Sequence, residues 1–222
     1  MKTKRGKIIT LIAAVCAVIA MVSWENRLQD YQPIDVPEGW ESLFDGKTLT
    51  GWKNINRGGQ DQPYIRNGVI VLPMGTYGIM TGLCWVGDSL PTDNYTVYYE
   101  ARRVTGSDIF AGLTFPYQDS FASLIFGGWG GIVNGLSSID GYDASGNETT
   151  QLFSFRNNQW LPVTLRVTSD SIRAIVGSEQ VVDIATAGKY IHLRSDLLDT
   201  GFTLWTYRSS GEIRNLRIKK ND

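Results

Sequence analysis

The chain has 222 residues, 42% of them apolar and 19% charged, with 24 glycines, a globular composition that excludes a disordered or fibrous protein. Its 21 Lys and Arg stand against 22 Asp and Glu, so the basic surplus that nucleic-acid binding requires is missing. A single histidine, His192, and two cysteines, Cys16 and Cys84, exclude a disulfide scaffold and any zinc site built from several histidines or thiolates, which leaves only oxygen ligands for a divalent cation.

Lys2, Lys4, Arg5 and Lys7 precede an apolar run from Ile8 to Val22 that is interrupted only by Thr10, the pattern of an export signal. The run is shorter than the roughly 20 residues that cross a bilayer, yet Ser23 and Trp24 carry it toward an interface. Residues 1–23 therefore read as a cleaved signal peptide or a membrane anchor, with the protein exported to the periplasm, the cell surface or the medium. Residues 24–38, with Pro33 and Pro37, read as a polar tether. Taking the four leader cations from the chain's net charge of -1 leaves the remainder at -5. Cys84, alone in that remainder, reads as a small buried apolar side chain.

From residue 39 to 222 the pattern is one of strands. Tyr64-Ile65-Arg66 and Val69-Ile70-Val71 flank Asn67-Gly68, the dipeptide suited to a two-residue turn with both φ angles positive. Tyr95, Val97, Tyr99 and Ala101 form one alternating row, and Leu161, Val163, Leu165 and Val167 another, each expected to face a core. Further strands are expected at about 108–115, 120–127, 131–139, 150–155, 171–176, 179–184, 201–207 and 212–219, bounded by Gly, Asp, Asn or Ser pairs. The apolar parity slips by one between Ile213 and Leu216, which predicts a bulge near Arg214-Asn215. No stretch beyond residue 40 has apolar positions at helical spacing. The prediction is an all-β sandwich with under a tenth of these residues helical and with Trp52 buried at its end.

The opening Glu38-Gly39-Trp40-Glu41-Ser42-Leu43-Phe44-Asp45-Gly46-Lys47-Thr48-Leu49-Thr50-Gly51-Trp52 resembles the signature of the 3-keto-disaccharide hydrolase family, also described as 3-keto-glucoside lyase and 3-keto-glucal hydratase. The Tyr64 to Val69 hairpin, Trp160 to Val182 and the ending Gly211-Glu212-Ile213-Arg214-Asn215-Leu216-Arg217-Ile218-Lys219 resemble later parts of the same family. The resemblance implies a concanavalin A-like jelly roll of two curved antiparallel sheets, a carbohydrate site on the concave face, and hydrolase or lyase activity on ordinary or 3-keto glycosides. The middle departs from the common pattern: Gly106 to Thr114 and Gly135 to Gly141 replace two usual strands, and the histidines common in catalytic members are missing apart from His192, which lies elsewhere in the chain.

The densest polar stretch is Gly127-Gly128-Trp129-Gly130-Gly131, then Asn134, Asp140, Asp143, Asn147 and Glu148. Glycines admit a ligand close to the backbone, and a tryptophan between them offers a flat face to a sugar ring. The same composition also suits plain turns. Acid-base work at a glycoside needs facing carboxyl groups, for which Asp140, Asp143 and Glu148 are the catalytic candidates. Trp129, Asn134, Asn147, Glu100, Arg102 and Asp108 are the candidate binding residues, with Glu100, Asp108 or Arg102 on the floor of the same pocket. Glu100 and Arg102 share a strand face and could instead neutralise each other. Asp140, Asp143, Asn147 and Glu148 could hold calcium or a similar ion, although not at EF-hand spacing. Tyr98, Trp205 and Tyr207 read as core or sheet-face aromatics and His192 as a surface residue. Two functions stay open: an exported carbohydrate-active enzyme, and a non-catalytic glycan-binding or cell-surface module on the same fold.

Overall fold

A computed structural model of the chain describes residues 37–55, 61–76, 80–194 and 201–221. The signal or anchor segment and the tether up to residue 36 lie outside the described residues. The strands belong to one compact unit, Pro33–Asp222.

Fifteen strands are present among the described residues, and no α-helix. They form two antiparallel sheets. One contains β1 (Glu41–Ser42), β3 (Tyr64–Arg66), β4 (Val69–Leu72), β6 (Tyr95–Gly106), β11 (Leu161–Val167), β12 (Ser171–Val176), β13 (Glu179–Ala185) and β15 (Ser209–Lys220), in the order β13-β12-β11-β6-β15-β4-β3 with β1 also on β15. The other runs β10-β9-β8-β7-β14-β5-β2, from β2 (Trp52–Asn54), β5 (Thr81–Trp85), β7 (Phe110–Tyr117), β8 (Ser120–Gly128), β9 (Val133–Ser137), β10 (Gln151–Leu152) and β14 (Thr203–Thr206). The expected all-β sandwich of two antiparallel sheets is what the chain forms.

Alternation decides what lies between the sheets. Leu161, Val163, Leu165 and Val167 are buried while Pro162 and Arg166 face solvent, and Tyr95, Val97, Tyr99 and Ala101 on the adjacent β6 are fully buried. The two tyrosines donate across the core to the other sheet, Tyr95 Oη to the Pro116 carbonyl at 2.5 Å and Tyr99 Oη to that of Ala111 at 3.1 Å. Their burial pushes both phenols well above the usual range. Leu165→Ala should cost about 2–4 kcal/mol, read as a lower urea midpoint at unchanged m-value, whereas Arg166→Ala should change it by less than about 0.5 kcal/mol.

Asn67 and Gly68 occupy the β3–β4 turn with φ of 51° and 72°, as their sequence predicts. The bulge predicted near Arg214-Asn215 is present: the β15–β6 register shifts between Arg214 and Arg217, and Asn215 has φ 56°. Trp52 is buried and donates Nε1 to the Leu43 carbonyl, whose own amide bonds Leu216 on the final strand. Two differences from the sequence expectation stand out. Strand β5 was not expected, because Thr81-Gly82-Leu83-Cys84-Trp85 has a glycine where alternation would be read; a Cβ at Gly82 would collide with the Leu204 carbonyl of neighbouring β14. Only Gln151–Leu152 of the expected 150–155 segment pairs as a strand.

The Asp45 turn explains the composition of the opening loop in local terms. Its Oδ1 accepts the Lys47 and Thr48 amides at 2.8 and 2.7 Å, and Oδ2 accepts the Thr48 hydroxyl. The Thr48 amide is the main reason its carboxyl titrates below the ordinary range. A carboxyl whose folded-state pKa is depressed stabilises the fold above its unfolded value of about 3.9 and loses that contribution as pH falls through the folded value. Asp45→Asn should therefore flatten the loss of stability below about pH 4, measured as urea midpoints at pH 5, 4 and 3, without steepening it.

Candidate functional site

The face of the seven-stranded sheet turned away from the main core carries a second, smaller apolar cluster of Ile55, Ile109, Ile125, Val133, Ala144 and Trp205. Trp205 comes from the middle of β14 and lies across Gly112 of β7, where a Cβ would stand 2.9 Å from the indole, so only glycine leaves room for the ring. Its Nε1 donates to Thr114 Oγ1 at 3.2 Å, and Thr114 in turn shares a 2.9 Å hydrogen bond with Ser123 on β8. Above this floor opens a cavity of about 490 Å³, within the range of small-ligand sites.

Trp129 stands at its mouth, 40% exposed, in the turn between β8 and β9. Positive φ at Gly127, Trp129, Gly130 and Gly131 folds this turn back over the sheet. Asp108 holds it there. The Asp108 side chain is buried, with Oδ2 accepting the Gly130 amide at 3.1 Å and Oδ1 the Ile109 amide at 3.0 Å. Behind it lies Arg103, also buried, which donates Nε to Asn157 Oδ1 and Nη2 to the Phe155 carbonyl, both at 2.6 Å, and stacks over Phe110 at 5.1 Å. Burial pulls the Arg103 guanidinium below its ordinary pKa, opposed by the nearby Asp108 charge.

On the opposite wall Asp143 receives the Ser145 amide and hydroxyl on Oδ1, at 2.9 and 2.6 Å, which leaves Oδ2 facing Arg194 at 3.5 Å. The same guanidinium lies 5.7 Å from the centre of the Trp129 ring. Tyr207, Arg208 and Ser137 complete the polar lining, with Arg208 5.3 Å from the Tyr207 ring. The cavity thus combines two tryptophans, two guanidinium groups and two carboxylates.

Of the residues singled out in the sequence, the structure brings Trp129, Asp108 and Asp143 together and separates the rest. Glu100 and Arg102 do not floor this cavity; both lie on β6 in the other sheet. Nor do they pair with each other: Glu100 binds Arg214 at 2.7 Å and Arg102 binds Glu212 at 2.5 Å, because β15 sets each opposite a partner of opposite charge. Trp160 lies between Arg102 and Arg214 on that surface. Asp140 does not line the cavity, its Oδ1 accepting the Tyr190 amide, and Glu148 pairs with Lys189 at 2.5 Å. Asn134 is buried, accepting the Gly127 amide and donating to the Ile132, Gln151 and Phe153 carbonyls, so it braces the Trp129 turn from beneath. Asn147 donates to the Leu136, Tyr142 and Asp143 carbonyls and accepts the Thr149 amide and hydroxyl. Much of 140–150 is therefore turn structure.

The same dispersal bears on a divalent cation. The carboxylates of Asp140, Asp143 and Glu148 each have a different partner, and no three His, Cys, Asp or Glu side chains among the described residues converge on one point. The donor set expected from the sequence does not fit an oxygen-ligated ion.

Sequence reasoning assigned Trp205 and Tyr207 to the sheet, and did not mark Arg103, Arg194 or Arg208. The aromatics are indeed sheet-face residues, but that face is the cavity floor. The arginines stand in no local pattern that separates them from other surface cations.

Fold and cavity together describe a β-sandwich domain with a cavity of small-ligand size on the outer face of one sheet. The chain belongs to the 3-keto-alpha-glucoside-1,2-lyase-like domain family, whose model matches residues 39–219. No curated protein matches the sequence significantly. Among solved structures, one provisionally described as a glycosyl hydrolase from Parabacteroides distasonis superposes with a TM-score of 0.55 at 17% identity, covering 86% of this chain and 100% of that one. A Crh5 transglycosylase in complex with NAG superposes at 0.57 with 6% identity, over 82% and 84% of the two chains. A glycosidic hydrolase superposes at 0.53 with 10% identity, over 84% and 97%. These likenesses show a shared β-sandwich fold.

Proposed function

We propose that the cavity binds a glycoside and that Asp143 and Arg194 promote elimination from a 3-keto sugar ring. The observation that carries this reading is the convergence at one mouth of a stacking ring, a carboxylate and a guanidinium: Arg194 is 3.5 Å from Asp143 and 5.7 Å from Trp129. A ketone at C3 acidifies the proton on C2. The Asp143 carboxylate, steadied on Oδ1 by Ser145, takes that proton on Oδ2, and the electron pair moves onto the C3 oxygen, where a guanidinium of Arg194 or Arg208 receives the charge. Collapse of the enolate breaks the bond from C1 to the glycosidic oxygen and forms the C1–C2 double bond. Asp143 returns its proton to the departing oxygen. The products are an unsaturated keto sugar and a free alcohol, and later addition of water across the double bond makes the net result hydrolysis. Buried Asp108 serves in this scheme as a positioning residue, because both of its oxygens already accept backbone amides.

A second reading, glycan binding without turnover, draws on the fact that both cavity carboxylates already have hydrogen-bonding partners. Incubation with methyl 3-keto-α-glucoside separates the two. Release of methanol with formation of the unsaturated keto sugar supports elimination; saturable binding with no release supports the module. In either case Trp129→Ala should weaken binding of this probe about 5- to 100-fold if the ring stacks on the sugar. Equal affinity in the variant would remove the sugar from this mouth.

A further inference from the structure

The fixed charges around the cavity do not cancel. Asp108 has the Arg103 charge behind it, and Asp143 has Arg194 at 3.5 Å. Arg208, the third guanidinium, forms no ion pair among the described residues; it is exposed, lines the cavity and lies 5.3 Å from the centre of the Tyr207 ring. One positive group is thus left over, in a domain whose charge beyond the leader is net negative.

Local structure does not call for an arginine there. Tyr207 and Arg208 form the two-residue link by which the chain passes from β14 in one sheet to β15 in the other. Arg208 has φ 47°, a left-handed backbone that glycine or asparagine adopts more readily than a long side chain. Trp129, at the mouth of the same cavity, is likewise held at φ 48°. The link is pinned on both sides. The Tyr207 amide donates to the Ile109 carbonyl at 2.9 Å, and the Thr206 hydroxyl lies 2.6 Å from that carbonyl and 2.7 Å from that of Ser209. Ser209 Oγ accepts the Asp108 amide at 2.7 Å and donates to the Asp108 carbonyl at 2.8 Å. Arg208 therefore rises from the Asp108 wall, across the cavity from Asp143.

We propose that Arg208 holds an anionic group on C6 of the sugar, so that the ligand is an acidic glycoside, a uronide or a 6-sulfated sugar, and not a neutral one. The proposal rests on the glycoside reading of the cavity. In a pyranose C5 stands across the ring from C2, so a ring that offers its C2 proton to Asp143 turns C5 and its C6 substituent toward the Asp108 wall and Arg208. The paired N–H groups of a guanidinium match two oxygens of a carboxylate or a sulfate. Arg194, beside Asp143, is left to receive the enolate charge.

Three probes test this: methyl 3-keto-α-glucoside, methyl 3-keto-α-glucuronide and methyl 3-keto-α-glucoside 6-sulfate, with binding read from tryptophan fluorescence on rapid mixing, before turnover. At low salt the wild type should bind at least one acidic probe about 3- to 20-fold more tightly than the neutral one. The margin should shrink in 0.5 M salt, as an exposed ionic contact requires, a value chosen to bring the Debye length to about 4 Å. Preference for the carboxylate identifies a uronide, and preference for the sulfate a 6-sulfated sugar. Arg208→Gln should bring all three affinities within about twofold of one another. Arg208→Gly should do the same, and because glycine accepts the left-handed backbone freely, its result carries no strain. Equal or tighter binding of the neutral probe by the wild type, or an acidic preference that survives in both variants, overturns the proposal while the glycoside reading stands. No saturable signal from any probe overturns the glycoside reading, and the proposal with it. Circular dichroism of each variant shows whether the sheet is intact.

Discussion

Asp143→Asn should reduce turnover of a 3-keto glycoside by about 10²-fold or more while leaving thermal stability nearly unchanged. Asparagine is isosteric, and its carbonyl still accepts the Ser145 amide, so the 143–147 turn survives. What disappears is the only function of Oδ2 that an amide cannot reproduce, accepting a proton from carbon. The ion pair lost with it joins two partly exposed side chains at 3.5 Å, an arrangement worth at most about 1 kcal/mol. Substrate binding should fall far less than turnover, because the Trp129 ring and the Arg208 guanidinium remain. Steady-state kinetics with the methyl 3-keto-α-glucoside, alongside a melting curve, makes the comparison. Turnover within about threefold of wild type would remove Asp143 from the chemistry, and Asp108 would then be the carboxylate to test.

Arg103→Ala should be among the most damaging single changes in the domain, costing about 3–5 kcal/mol. The guanidinium is buried, and its donors satisfy Asn157 Oδ1 and the Phe155 carbonyl while its charge faces Asp108. Truncation leaves those acceptors without donors, opens space against Phe110 and isolates a buried carboxylate. The damage should reach the cavity, because Asp108 holds the Gly130 amide and thereby the Trp129 turn. Chemical denaturation should show the lower midpoint, and the fluorescence of Trp129 should shift before the global transition. Arg103→Lys should recover only part of the loss, since one ammonium cannot span the acceptors that the planar group reaches. A loss below about 1 kcal/mol for Arg103→Ala would mean that water replaces the guanidinium without strain.

The remaining signals divide by physical range. Leu161 to Val167 and Tyr95 to Ala101 announced their buried rows because alternation is a property of neighbouring residues, and each strand reports its own buried side. Asn67-Gly68 and the parity slip at Arg214-Asn215 were legible for the same reason: φ preferences and bulges act over two or three residues. The family resemblance drew on the same kind of local text, in the Asp45 turn and the closing strand.

The site was legible only in part. Trp129 and Asp143 stood out by composition and do meet, but Asp140 and Glu148, close to Asp143 in sequence, turn to Tyr190 and Lys189. Strand neighbours brought those partners from 41 to 50 residues away, at a cost or gain no local pattern expresses. Arg194, Trp205 and Arg208 lie far along the chain from Trp129, and their place in the cavity follows from which strands lie side by side in the seven-stranded sheet. The sequence by itself determined most of the strands, the buried faces of the alternating ones, and the family. Which charged groups share one cavity was decided only by tertiary structure, because ion pairing and ring stacking act over a few ångströms in space and leave no period along the chain.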